Sequence, residues 1–173
     1  MKAGRYIAMA LAVLVLAFTL QRTLVKYVPN IIFAIAKHRS EQPLNTVIHA
    51  PKTDAKLRRV VLPNPDFVYS AIFYDVSKND LVINGVLPDS SQYACIAFYG
   101  DDMQPFYVVN NQKGLNGAYQ FRLSKNAGIK DDLTRIQAKT TQGSILVRLL
   151  YTNTQQEIAA RAIQKQLSVI SVE

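Results

Sequence analysis

The sequence predicts a mainly β protein: a sandwich-like antiparallel sheet domain with a C-terminal helix, set behind an N-terminal transmembrane helix. Three observations carry this reading. Turn residues recur about every ten positions at Pro63-Asn64-Pro65-Asp66, Lys78-Asn79-Asp80, Pro88-Asp89-Ser90-Ser91 and Gly100-Asp101-Asp102, the spacing of a sandwich or barrel. The run Ile7–Leu20 holds no charge. Near the end, Asn153 or Thr154 can cap a helix that places Ile158, Ala162, Ile163 and Leu167 on one face.

Composition limits the alternatives. The chain has 173 residues, 49% of them apolar, and a mean hydropathy of +0.04. That describes one domain with one oily segment rather than a multi-span protein. The net charge of +8 is lopsided. Residues 1–59 hold ten Lys/Arg and two acids, whereas residues 60–173 hold ten of each. The positive excess therefore sits beside the oily segment, where it reads as a topology and headgroup signal. A neutral globular part argues against nucleic-acid binding. Cys95 is the one cysteine, so no intrachain disulfide can form, and its apolar surroundings make it a small core residue.

Lys2 and Arg5 precede the uncharged run. Its 14 residues are fewer than the roughly 20 of a full span, and suit a signal-peptide core. Retention is favoured on two grounds. The run ends Phe18-Thr19-Leu20-Gln21-Arg22, without the small residues that signal peptidase needs. The helical pattern also continues: Leu24, Tyr27, Val28, Ile31, Ile32 and Ile35 form one apolar stripe. If Arg22 and Lys26 snorkel, Tyr6–Val28 is long enough to cross, and the lipid bilayer is the first expected partner. Pro29 predicts a kink or a fresh helix start, and residues 30–39 an amphipathic helix at the membrane surface. The competing reading is a cleaved signal peptide. The expected organisation is an anchor and juxtamembrane helix over 1–39, a linker over 40–59 and the β-rich domain over 60–173.

Within the linker only Thr46–His49 has strand character. Strands are predicted at Val60–Leu62, Val68–Val76, Leu81–Leu87, Tyr93–Tyr99, Phe106–Val109 and Ala118–Leu123 from their β-branched and aromatic residues. Asp131-Asp132 predicts a short helix through Lys139, with acids at its positive end. Ser144–Tyr151 is an apolar strand interrupted by Arg148, and the alternating Ser168–Glu173 could close a sheet.

The chemistry is sparse. His38 and His49 precede residue 60, so the expected domain lacks Ser-His-Asp, Cys-His and His-rich metal sites. No Gly-rich phosphate loop is present, and no cofactor is indicated. Asp101-Asp102 and Asp131-Asp132 read as turn and helix-start residues; a glycosidase pair drawn from distant strands stays open. The most organised cluster is Pro63–Ser70. Asn64 and Asp66 can bond neighbouring amides, and Tyr69 has a ring for the core and a hydroxyl for a partner. One reading makes this a corner that sets the first hairpin. The other makes Asn64, Asp66 and Tyr69 the rim of a ligand pocket.

This cluster carries a resemblance. Val60–Ser70, then Phe73-Tyr74-Asp75-Val76-Ser77, Pro88-Asp89 and Tyr93, resemble bacterial proteins carrying the domain of unknown function 1254. That family's pattern is a Pro-Asn-x-Asp-x-x-Tyr-Ser turn, a strand ending in Asp-Leu-Ser, then Pro-Asp and an Arg-Tyr pair. Gln92 stands here where Arg is usual, and Val76 replaces Leu. The resemblance implies a β-sandwich-like domain on the outer face of a bacterial inner membrane. Longer members add a second β domain, so a separately encoded envelope or membrane protein is an expected partner. The family has no established activity. The resulting expectation is a non-enzymatic, membrane-tethered binding or assembly module. The alternative is a small-ligand-binding or hydrolase-like domain with its pocket at Asn64, Asp66 and Tyr69.

Overall fold

The computed structural model describes residues 2–52, 64–113, 115–126 and 134–172. It begins with α1, Lys2–Arg39. This helix continues through Pro29 without the fresh start that is one of the two expectations there. Pro29 has no amide hydrogen to donate, so one helical bond is missing there. Thr19 and Thr23 return their hydroxyls to the carbonyls of Leu16 and Thr19, both at 2.9 Å, so neither hydroxyl needs a partner outside the helix. At 38 residues the helix is about 57 Å long, more than the roughly 30 Å hydrocarbon core of a bilayer. It is the one helix among the described residues long and apolar enough to cross a membrane.

Among the described residues nine strands follow: β1 Val47–His49, β2 Phe67–Asp75, β3 Asp80–Leu87, β4 Ala94–Gly100, β5 Pro105–Asn110, β6 Gly117–Ser124, β7 Thr134–Gln137, β8 Gln142–Leu150 and β9 Ser168–Val172, with α2, Thr154–Gln164, between the last two. One sheet has the order β1-β2-β8-β4-β5 and the other β7-β6-β3-β9. Every pairing is antiparallel except β6 with β7. The mainly β expectation holds, and the strands predicted after residue 66 are found within two residues of their expected bounds.

Three expectations need correction or placement. The helix expected from Asp131 through Lys139 is not formed where the chain is described, because residues 134–137 are β7. Ile136 is the reason: it is the apolar residue of an alternating segment, is buried beside Leu123 and extends the core. The segment read as linker contains β1, which hydrogen-bonds along β2 with Val47 opposite Ile72. This is the strand character expected at Thr46–His49, and the edge of β2 supplies its partner. The strand expected at Val60–Leu62 lies outside the described residues.

The core lies between the two sheets. β2 and β8 each alternate buried and half-buried residues along their length, as strands facing a core on one side must. Phe98 stands at its centre, edge-on to Phe121 at 6.1 Å and to Tyr107 at 5.6 Å, a favoured aromatic geometry. Tyr74 is fully buried and donates to the Tyr99 carbonyl at 3.2 Å. Burial pushes its hydroxyl up to about 12, so it stays a neutral donor. Gly143, opposite Tyr74 on β8, leaves room for that hydroxyl. A methyl group there would run into the Tyr74 ring and the Tyr99 backbone oxygen. Gly143→Ala is therefore expected to destabilise the sandwich by about 1–3 kcal/mol, read as a lower urea midpoint for the full chain in detergent.

Candidate functional site

The features singled out in the sequence fall into three places: the Asn64–Tyr69 corner, the β1–β2 edge and the exit of α1. At the corner, the Asn64 side-chain oxygen accepts the Asp66 amide at 2.9 Å, an Asx turn. The Tyr69 hydroxyl accepts the Asn64 amide at 3.2 Å. Tyr151 closes the same corner from β8, its hydroxyl donating to the Pro65 carbonyl at 2.6 Å and its amide to the Asp66 carbonyl at 2.9 Å. The structure thus brings Asn64, Asp66 and Tyr69 together, and their backbone and side-chain groups bond one another across the turn. A shallow depression lined by Asn84, Gly85, Tyr119, Gln120 and Gln166 lies over the other sheet, away from this corner.

Other motif residues have similar roles. Asp75 accepts the Ser77 amide at 2.8 Å and Asp89 the Ser91 amide at 2.9 Å. Gln92, at the position where the family uses Arg, donates to the Leu150 carbonyl at 2.6 Å and the Gln156 carbonyl at 3.3 Å, joining the loop before β4 to α2. Asn111 went unremarked in the sequence. It is buried, accepts the Ala94 amide, and donates to the carbonyls of Pro88, Asp89 and Gln92. Nothing in a lone Asn after a strand announces such a hub.

The β1–β2 edge revises the distribution of chemistry. Because β1 joins the sheet, His49 belongs to the domain, and its Nδ1 lies 3.0 Å from the buried Ser70 Oγ. Burial lowers the His49 pKa, so the ring is neutral at neutral pH. Among the described residues no carboxylate bonds the other ring nitrogen, so nothing orients the ring as a triad would. The pair ties the edge strand to its neighbour. Hydrolytic acid catalysis needs a carboxyl held protonated near neutrality. The described acids whose values move (Asp75, Asp89, Asp102 and Glu157) all move down, toward the ionised form.

At its exit α1 has two unlike faces. Phe33 is 4% exposed and meets Phe73 of β2 edge-on at 5.9 Å. One turn later Lys37 donates to the Gln142 side-chain oxygen at 3.0 Å, and Gln142 in turn donates to Asp75 at 2.6 Å. Asn45, in the left-handed region at φ 60°, bonds the Asp75 backbone twice, donating at 3.1 Å and accepting at 2.7 Å. Residues 40–46 are therefore a tight, bonded turn. The stripe expected to contact membrane or partner, Leu24, Tyr27, Val28, Ile31, Ile32 and Ile35, lies about 180° round the helix from Phe33 at roughly 100° per residue. It is exposed, Ile31 at 56% and Ile35 at 46%.

Fold and site together define a class: a two-sheet β-sandwich domain fastened to the end of a long apolar helix, of the kind that serves as a membrane anchor or signal sequence. The chain belongs to the family described as "Protein of unknown function (DUF1254)", whose model matches residues 44–171. Its fold is similar to the crystal structure of the VPA0106 protein from Vibrio parahaemolyticus, with a TM-score of 0.67 at 12% identity over 86% of this chain and 36% of that one. It is also similar to a putative uncharacterized protein from Burkholderia cenocepacia, with a TM-score of 0.52 at 12% identity over 88% of this chain and 42% of that one. The chain thus spans well under half the length of either structure. No curated protein matches it.

Two outcomes follow. Phe33→Ala should free the end of α1, at a cost of about 2 kcal/mol for the lost burial, read as faster amide exchange over residues 31–39 with β8 unchanged. The second concerns acid. Burial alone would raise the Asp75 pKa, but hydrogen bonds from Ser77 and Gln142, with the Lys37 charge, outweigh it and hold the carboxyl below its ordinary value. That stabilisation is present above the ordinary carboxylate value of about 3.9 and is lost as pH falls through the lower folded value. Asp75→Asn should flatten the acid limb of the full chain's melting profile and leave its neutral limb parallel to wild type.

Proposed function

We propose that the chain is a single-pass protein of the bacterial inner membrane whose sandwich, on the periplasmic side, acts as a binding or assembly module. The observation that carries this reading is the two-faced exit of α1. Phe33 and Lys37 fasten the helix to β2 and β8, while the apolar stripe through Ile35 stays open on the opposite side. A flexible tether needs neither feature. A helix gripped at its exit holds the domain at a set distance and angle from the bilayer, and the stripe beyond the crossing is available to lipid or to a neighbouring helix.

Lys37, His38 and Arg39 close α1, and long basic side chains at this position carry their heads to headgroup level. The family resemblance favours a periplasmic domain. The greater length of both similar structures supports a search for a separately encoded partner.

The test uses the full chain in native membranes. The protein is expected to resist alkaline extraction, to retain Met1 by N-terminal mass spectrometry, and to lose its sandwich to protease added to spheroplasts but not to intact cells. A photo-crosslinking residue at Ile31 or Ile35 should form lipid or protein adducts, and one at Phe33 should not. Cleavage after the apolar run, or protection in spheroplasts, overturns the anchored periplasmic reading. Equal adducts at Ile35 and Phe33 overturn the two-faced exit.

A further inference from the structure

We propose that the outer face of the five-stranded sheet carries a binding site, centred on Arg148, for a small organic acid: a carboxylate on an apolar body that also bears a hydroxyl or amino donor. This deepens the binding-module reading by naming a ligand class, and it rests on one row of the sheet. The register sets Tyr69 of β2, Arg148 of β8, Cys95 of β4 and Asn110 of β5 side by side. Residues paired across antiparallel strands share a face. This face is the outer one, because the adjacent row of Val68, Leu149 and Ala94 is buried in the core.

Two polar atoms in the row are buried and make no hydrogen bond: Arg148 Nε and Asn110 Oδ1. Native interiors rarely leave such groups unmade, and each one asks for a partner. Among the described residues Arg148 bonds the Cys95 sulfur alone, with Nη2 at 3.6 Å, and a thiol is a weak acceptor. Among the described residues no carboxylate pairs with it. Asp80 is taken by Arg122, Asp102 by Lys139, and Glu157 by Lys52 and Arg161. A guanidinium with a free Nε–H presents the fork that fits a planar carboxylate.

The surroundings define the rest of the ligand. On one side of Arg148 the next outer row is Ala71, Leu146, Ala97 and Val108, an apolar floor buried at Ala97 and open at Val108. On the other side Phe67 stands against Tyr69 at 5.9 Å and Tyr93 at 6.4 Å, an aromatic wall. An apolar body fits either. The unmade Asn110 oxygen, two strands from Arg148, calls for a donor on the same molecule.

The experiment is a titration of the full chain in lipid nanodiscs, read by fluorine NMR, with empty nanodiscs correcting for partition into lipid. The probes are para-fluoromandelate, the same molecule as its uncharged amide, and para-fluorophenylacetate, which lacks the hydroxyl. The expected result is saturable broadening of para-fluoromandelate, at least about tenfold weaker for the amide and in Arg148→Gln. Arg148→Lys should recover part of the affinity, since it keeps the charge without the fork. The preference for para-fluoromandelate over para-fluorophenylacetate should vanish in Asn110→Ala. Both altered residues lie on the outer face, so an unchanged melting temperature checks the fold; if Arg148→Gln fails to fold, Arg148→Lys and the amide probe decide. Equal broadening by acid and amide, no saturable binding, or wild-type affinity in both Arg148 variants overturns the proposal. The anchored-module reading fails by a different measurement, the crosslinking and extraction of the membrane protein, so the two can be lost separately.

Discussion

Strand β8 is the constraint on which the rest of the structure depends. It lies between β2 and β4 and pairs with both along most of its length. Its inner side chains, Ile145, Val147 and Leu149, are buried, and a one-residue slip would turn all of them to the outside. That register fixes three further things at once. Gly143 falls where the Tyr74 hydroxyl needs space, Gln142 falls where it can join Lys37 to Asp75, and Arg148 falls between Tyr69 and Cys95 on the outer face. The helix grip and the polar row are thus two ends of one strand.

The grip on α1 combines an apolar contact with a polar relay, and the two do different work. The Phe33–Phe73 contact supplies non-directional burial. The chain of bonds from Lys37 through Gln142 to Asp75 and Asn45 sets the angle, because each bond has a direction and a length. Together they convert residues 40–46, the start of what reads as a linker, into a short turn.

The residues that carry the family resemblance are largely turn chemistry. Asn64, Asp75 and Asp89 each bind an amide two residues on, and Gln92 holds the loop before β4 to the carbonyls of Leu150 and Gln156. A pattern of this kind identifies the fold well and says little about a ligand. Tyr69 is the exception: its hydroxyl serves the corner and its strand position places it in the Arg148 row. A pocket sought at the corner and a polar row on the sheet face therefore share one residue.

By itself the sequence determined the apolar N-terminal helix, the alternating strands from Val68 to Leu150, the capped helix before β9 and the turns between them. These depend on local periodicity and on side chains that bond their own neighbours, so residues a few positions apart carry the whole signal. Only the tertiary structure decided the rest. β7 is too short to declare itself and exists because β6 offers it an edge, and β1, whose strand character the sequence shows, joins the domain only because β2 offers it one. Asn111 became a hub because three carbonyls converge on it. Arg148, which in the sequence only interrupts an apolar strand, gained its meaning from the residues that β2, β4 and β5 set beside it. Such contacts join positions tens of residues apart, and no spacing along the chain encodes which strand lies next to which.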